Sequence, residues 1–338
     1  MSVSVQSSKH HTWIDYAKFS CIFLVVLYHF SPQFPPSVVS ALKLTRMPCF
    51  FFLSGLLFRK EKYSSVLSFV KHRSKQLLIP YFCFFALFYI YWLFIGKYHG
   101  GENDLQAHLL QPLWEYIYGR PELICQPLWF VSCLFALQCL FLVVFRKIKN
   151  RRFSLLLLFL FAALPLCIDL SNSPWMFDSV CQAMPFYGIA CLYSKEIKQG
   201  IENRRVLFIS LLCAGFIFGV AVFMLPMIGD KVLKQMIFYL GNFSAIALVL
   251  ILMKFLSDCI GRLRWVEYYA SNAIVILALH TYGILAMLQL ASKISFFSFL
   301  ASNSTPVCLL LSVVVFASMA VPIYLINRYF PFILGKRV

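Results

Sequence analysis

Three stretches of this chain, Val206–Gly229, Tyr268–Ser292 and Ile294–Asn327, contain no Asp, Glu, Lys or Arg. A helix needs about 20 mostly apolar residues to cross the hydrocarbon of a bilayer. Within that hydrocarbon a segment must also satisfy its own backbone polar groups, so these runs predict membrane-spanning helices. The composition agrees: of 338 residues, 61% are hydrophobic and 13% charged, against about 25% charged in a soluble domain. A water-soluble enzyme, a disordered chain and a disulfide-stapled secreted domain are excluded. The 12 cysteines form no C-x-x-C pair, and most, such as Cys21, Cys133, Cys213 and Cys308, sit inside apolar runs. There they behave as small hydrophobes, and no metal or disulfide framework is expected.

The expected fold is all-α and polytopic, a single membrane domain over residues 1–338 with no extra soluble domain. About ten spans fit the pattern, near 13–31, 37–58, 77–96, 126–145, 153–170, 174–194, 206–228, 235–256, 266–290 and 305–326. The polar start Met1–Thr12 leads into the first run without an A-x-A site, so that run is expected to be a retained anchor. Basic residues gather on the cytoplasmic side of membrane proteins. If the N-terminus is cytoplasmic and the loops alternate, 23 of the 30 Lys and Arg residues fall inside and 7 outside. Both termini are then cytoplasmic, and the net charge of +17 is topological, with no need of nucleic acid. The largest outer segment, Lys97–Gln126, carries Glu102, Asp104, Glu115 and Glu122 among Trp114, Tyr116, Tyr118, Pro112 and Pro121. It reads equally as a lid on the membrane surface or as a plain connecting loop.

Ionisable side chains inside spans are costly, and each is a functional candidate. The first span opens with Asp15 and Lys18, three apart and able to pair on one helix face, and continues uncharged to His29. Lys18 and His29 are separated by three turns plus about 20°, on one face and about 16 Å apart along the axis. The second span holds Arg46, Pro48, Ser54 and Gly55, where the proline is expected to kink or break the helix. Met184–Gly188, containing Pro185, is expected to interrupt the sixth span. Arg73 stands before Pro80–Tyr81 at the inner edge of the third, and His280 follows Ser271 and Asn272 in the ninth. Two intramembrane imidazoles with basic residues at the inner edge point to a buried catalytic chamber. The H-x4-D spacing of His10 and Asp15 is shared with soluble glycerolipid acyltransferases, but it straddles the start of a span and is discounted.

Taken together, these motifs resemble the acyltransferase-3 family of integral membrane acyltransferases, in its sugar O-acetylase-like branch. The first-span pattern of Asp, Arg and His falls on Asp15, Lys18 and His29. Lys18 replaces the family's arginine, exchanging a bidentate phosphate ligand for a point charge. The Arg-x-Pro-Phe-Phe-x-x-Ser-Gly type of motif matches Arg46, Pro48, Phe51, Phe52, Ser54 and Gly55. Arg73 with Pro80–Tyr81, then Leu128–Trp129–Phe130, then Ser271, Asn272 and His280 complete the series.

The resemblance implies transfer of an acetyl or other acyl group from cytoplasmic acetyl-CoA to a hydroxyl of a cell-surface or lipid-linked glycan. The expected setting is a bacterial inner membrane. No cofactor is expected to be permanently bound, no metal is implied, and the expected partners are acetyl-CoA, the glycan acceptor and membrane lipid. Lys18 and Arg73 are the expected ligands of the CoA phosphates, with Asp15 orienting Lys18. His29 is the expected general base, Arg46, Ser54 or the backbone at Pro48 the oxyanion stabiliser, and His280 a second base or an orienting group. The competing expectations are a transporter or flippase for a glycan or lipid precursor, and another class of membrane acyltransferase acting on lipid or protein.

Overall fold

The computed structural model describes residues 11–30, 34–99, 106–293 and 305–336, the stretch 285–293 as backbone alone. The described residues are helical, with no strand among them. In chain order the helices are α1 Thr12–Tyr28, α2 Pro36–Leu56, α3 Val66–Gly96, α4 Gln111–Tyr118, α5 Trp129–Phe145, α6 Arg151–Cys167 and α7 Phe177–Leu192. They continue with α8 Ser194–Glu202, α9 Arg204–Met224, α10 Lys231–Ile260, α11 Arg264–Ser271, α12 Ala273–Lys293, α13 Thr305–Ser318 and α14 Ala320–Tyr329. Among the described residues, six helical stretches are long and apolar enough to cross a membrane: α2, α3, α5 with its leading turn, α9, α10, and α13 running into α14. Helices α1, α6 and α7 have 17, 17 and 16 residues, near the short limit of about 17–25 for a span.

The bundle is organised around α1, which contacts α2, α10, α11, α12 and α13. It buries residues all round its circumference, among them Trp13, Ile14, Ala17, Cys21, Ile22, Val25 and Val26, as a helix enclosed by others must. At the periphery the pattern inverts. Helix α9 exposes Phe208, Ile209, Leu212, Phe216 and Phe223, an apolar surface that water would not tolerate and lipid would cover. The chain is an integral membrane protein.

Proline does not break the helices where the sequence leads one to expect. Helix α2 continues through Pro48, and α7 continues through Pro185, so Met184–Gly188 does not interrupt the sixth span. A proline removes one donor and crowds one carbonyl. Both rings are buried, so packing holds the helix on either side. The closeness of the two helices shows at Gly55, where an added Cβ would lie 2.2 Å from the Tyr187 carbonyl oxygen. Carbonyls at the end of α2 also accept from that side: Cys191 Sγ donates to Gly55 O (3.3 Å) and Ser194 Oγ to Leu56 O (3.1 Å). The break comes instead in the ninth expected span, where Asn272 separates α11 from α12 without any proline.

The basic loops converge on one end. Lys60 Nζ donates to the Arg146 carbonyl at 2.5 Å, Arg151 pairs with Glu196 at 2.6 Å, and Lys254 pairs with Glu202 at 3.5 Å. The start of α1 lies there too, since Tyr16 donates to the Gly261 carbonyl at 2.9 Å. So does the described C-terminal stretch, because Gly335 packs against the Lys75 carbonyl.

Close helix approach at Gly55 and open space at Gly219 give opposite expectations for one substitution. Gly55→Ala overpacks the α2–α7 contact and is expected to cost ~1–3 kcal/mol. Gly219 has nothing within 4 Å of the added Cβ. Gly219→Ala is therefore expected to be neutral or to stabilise by up to about 1 kcal/mol through helix propensity. Thermal unfolding of the purified variants in detergent checks both.

Candidate active site

A cavity of about 400 Å³ opens between α1, α2, α3, α5 and the α11–α12 break. Its polar lining is Lys18, Ser54, Arg73, Gln76 and Ser271, set among Ile22, Phe50, Phe130 and Leu134. The pairing expected from the i,i+3 spacing is present: Lys18 Nζ lies 3.7 Å from Asp15 Oδ1. Arg73 Nη1 donates to Gln76 Oε1 at 2.8 Å, while its buried Nε has no hydrogen-bond partner. These two residues stand at a wide π-helical turn, Ser74–Leu78, inside α3. Pro80 has no N–H to offer the Gln76 carbonyl, and a wider turn relieves the crowding that a proline imposes there. Such turns recur at functional sites, and here Arg73, Gln76 and Leu77 all reach the cavity wall.

A second cavity, of about 370 Å³, lies at the other end of α1 and is lined by Tyr28, His29, Arg46, Gln126, Pro127 and Trp129. Met47 and Leu277 line both cavities, so the two are separated by little more than these side chains. Arg46 lies over the Tyr28 ring, its Cζ 3.6 Å from the centroid. A guanidinium over an aromatic face is attracted by the ring quadrupole, most strongly where water is excluded. The Arg46 Nε is buried without a hydrogen-bond partner.

His29 follows the last residue of α1 as its cap and stands 4.6 Å, centroid to centroid, from His280. His280 is wholly buried. Its Nδ1 lies 2.8 Å from the Ile276 carbonyl and 3.0 Å from the Leu277 carbonyl. Carbonyls only accept, so Nδ1 carries the proton and Nε2 is the acceptor nitrogen. That Nε2 has no hydrogen-bond partner.

The expected site residues thus fall into two groups. Lys18, Ser54 and Arg73 meet in the first cavity, with Asp15 beside Lys18. His29 and Arg46 meet in the second, with His280 behind His29. Ser54 is eight residues from Arg46 along α2, about 12 Å of helical rise, and so sits at the level of Lys18. Asn272 lines neither cavity and is held in a structural clip. Its Nδ2 donates to the Tyr268 carbonyl (2.8 Å), and its Oδ1 accepts from Asn327 Nδ2 (2.8 Å), whose own Oδ1 accepts from Lys336 Nζ (2.6 Å).

Sequence reasoning missed Tyr28, Gln76 and Gln126. Gln76 was findable, three residues from Arg73 on one helix face. Tyr28 and Gln126 had no such signal, because the partner of Tyr28 comes from another helix and Gln126 reaches the cavity only through the packing of the bundle. His10, Glu102 and Asp104 lie outside the described residues. Among the described residues, no group of three or more His, Cys, Asp or Glu side chains is placed to hold a metal ion.

One comparison with known proteins gives a match. The acyltransferase-3 family model, described as an acyltransferase domain, matches residues 11–326. No curated protein and no solved structure matches. The matched stretch contains every helix that lines the two cavities and runs through nearly the whole bundle. The chain belongs to the acyltransferase-3 family and is a membrane acyltransferase.

Proposed function

We propose that this protein moves an acetyl group from cytoplasmic acetyl-CoA to a hydroxyl of a cell-surface or lipid-linked glycan. The proposed setting is a bacterial inner membrane, with ten crossings and both termini on the cytoplasmic side. The observation that carries this reading is the pair of adjoining cavities, with cations at one end and an imidazole beside a guanidinium at the other. The end bearing Lys18 and Arg73 is also the end where the basic loops meet, which the positive-inside rule assigns to the cytoplasm. Lys18, held by Asp15, and Arg73, with its free Nε, take the anionic phosphates of the donor. The narrow arm of the donor runs past Met47 and Leu277 and brings the thioester beside His29.

There the acceptor oxygen attacks the thioester carbonyl carbon while His29 takes the hydroxyl proton, as a general base within reach of it must. The negative charge that develops on the carbonyl oxygen is stabilised by Arg46, whose guanidinium needs no reorganisation because the Tyr28 ring already holds it. Collapse breaks the carbon–sulfur bond, and the departing thiolate receives the proton from the imidazolium. Ser54 is at the donor's level, so its part is in lining the donor passage and the oxyanion falls to Arg46. His280 lines neither cavity and acts through His29, as a positioning residue.

Protein in lipid nanodiscs with radiolabelled acetyl-CoA tests this reading. His29→Ala is expected to abolish transfer while retaining donor binding; full transfer by a folded His29→Ala protein would refute the base. Lys18→Ala and Arg73→Ala are each expected to weaken donor binding about tenfold, or ~1.4 kcal/mol. Absence of any saturable donor binding by the wild type would favour a transporter instead.

A large side chain at the junction separates binding from delivery. Leu277→Trp is expected to leave CoA binding within about twofold of wild type, since the phosphate ligands are untouched. It is expected to lower the transfer rate at least about tenfold, equivalent to ~1.4 kcal/mol in the barrier. Parallel binding and single-turnover measurements check the split.

A further inference from the structure

At the end of the bundle away from the basic loops, α4 and the turn before α7 enclose a cleft of about 430 Å³ lined by Trp114, Tyr118, Arg120, Glu122, Asn172 and Trp175. A second hollow of about 400 Å³, lined by Gln106, Gln111 and Leu123, shares Glu115 and Glu122 with it, so the two form one elongated groove. Nothing in the acyl-transfer scheme uses these residues.

The groove is built, and its walls are fixed. Tyr118 donates to the Asn172 carbonyl (2.9 Å), and Arg120 donates from Nη1 to the Ser173 carbonyl (3.3 Å) and to Asp178 (3.4 Å). These bonds clip α4 to the facing turn. Glu115 is held by Gln111 Nε2 (3.1 Å) and by the N–H groups of Glu122 (3.1 Å) and Leu123 (2.8 Å). Trp175 and Met176 are successive non-glycine residues in the left-handed region, at φ 54° and 55°. Gly119, at φ 80°, lies so close beneath that an added Cβ would stand 2.8 Å from Trp175 Cα. Backbone strain of this kind persists only where the surroundings over-determine it, and it clusters at ligand sites.

Trp114 is 67% exposed although it lies beside the Arg120–Glu122 ion pair. The groove therefore offers exposed aromatic faces next to carboxylates and carboxamides. Sugars present that same combination in reverse, apolar C–H faces beside hydroxyls that donate and accept. The lining also excludes an anionic occupant. Among the described residues its one cation, Arg120, is already shared by Glu122 and Asp178, and Glu115 and Glu122 leave the described walls net negative. A lipid phosphate or an acidic polysaccharide would meet repulsion.

We propose that this groove binds a neutral oligosaccharide, with sugar rings against Trp114 and Trp175 and hydroxyls on Glu115, Glu122 and Gln111. A hydrogen-bonded contact runs from Gly119, between the groove residues Tyr118 and Arg120, toward the His29 cavity. Ser132 Oγ lies within bonding distance of the Gly119 carbonyl (2.7 Å) and the Trp129 carbonyl (2.8 Å), and Trp129 lines that cavity. That the saccharide is the acceptor rests on the acyl-transfer reading; that the groove binds it does not.

Saturation-transfer NMR and tryptophan fluorescence on the full chain in nanodiscs, with an array of neutral oligosaccharides including maltohexaose and chitohexaose and with hyaluronan hexasaccharide as the anionic probe, test the proposal. Neutral oligosaccharides are expected to bind at least tenfold more tightly than the anionic one. Trp114→Ala and Glu122→Gln are expected to weaken binding at least tenfold, Trp114→Phe to retain most of it, and His29→Ala to bind as wild type. Silence across the whole neutral array, or binding indifferent to Trp114 and Glu122, would overturn it. So would a Trp114→Ala protein that loses only membrane reconstitution, since Trp114 would then be an interfacial anchor. Saccharide binding without acetyl transfer would refute the enzymatic reading and leave the groove standing. Transfer with an acceptor KM unchanged by Trp114→Ala would refute the groove as the acceptor's site and leave the enzymatic reading standing.

Discussion

Holding cations at membrane depth is the constraint on which this structure turns. A Lys or Arg near the middle of a span costs about 2.5–3.5 kcal/mol on insertion scales, and Lys18, Arg46 and Arg73 all stand on the walls of cavities within the bundle. Each is accommodated differently: Lys18 by Asp15, Arg46 by the Tyr28 ring, Arg73 by the Gln76 carboxamide. The two arginines nonetheless keep a buried Nε with no hydrogen-bond partner. An unmet buried donor costs ~1–3 kcal/mol. Both arginines stand on cavity walls, where, on the proposed reading, an anionic donor supplies the missing acceptors.

Helix α1 turns that local chemistry into a vectorial arrangement. It is enclosed by five other helices, so its length acts as a ruler that keeps Lys18 and His29 about 16 Å apart. The two cavities meet where Met47 and Leu277 stand. Methionine is the more adaptable of the two, with an unbranched, polarizable side chain that fills irregular gaps. We propose that this junction admits a slender chain and excludes the bulky charged part of a donor. On the proposed reading, the acyl group crosses most of the bilayer along α1 while the phosphates stay with Lys18 and Arg73.

How much of this was legible in the sequence depends on the reach of each interaction. The pairing of Asp15 with Lys18, the shared face of Lys18 and His29, and the basic bias of alternate loops are all readable, because helical spacing and charge are local properties. Six helices long and apolar enough to span, among the described residues, were equally visible as apolar runs of spanning length. The break expected at Pro185, and allowed for at Pro48, does not occur, since whether a missing bond breaks a helix depends on how firmly the ring is packed by other helices. The break at Asn272 carried no composition signal; it is fixed by Asn327, fifty-five residues away. Arg46 was visible as a charged residue in a span, but its stacking on Tyr28 and the separation of Ser54 from His29 required the antiparallel placement of α1 and α2.

One charge distribution serves two purposes here. The basic loops that orient a membrane protein also surround the entrance of the cavity proposed for an anionic donor, so an inverted chain would present the donor site to the wrong compartment. Topology and substrate access are therefore coupled, and neither can be altered by charge alone without the other. The opposite end has the complementary character: Glu122 and Asp178 pair with the guanidinium of Arg120, and Glu115 lines the cleft beside them. A donor bearing several negative charges would be held at one end and repelled at the other. An uncharged acceptor meets no such opposition. On the proposed reading, this polarity favours a reaction in which the acyl group, and not its carrier, traverses the fold.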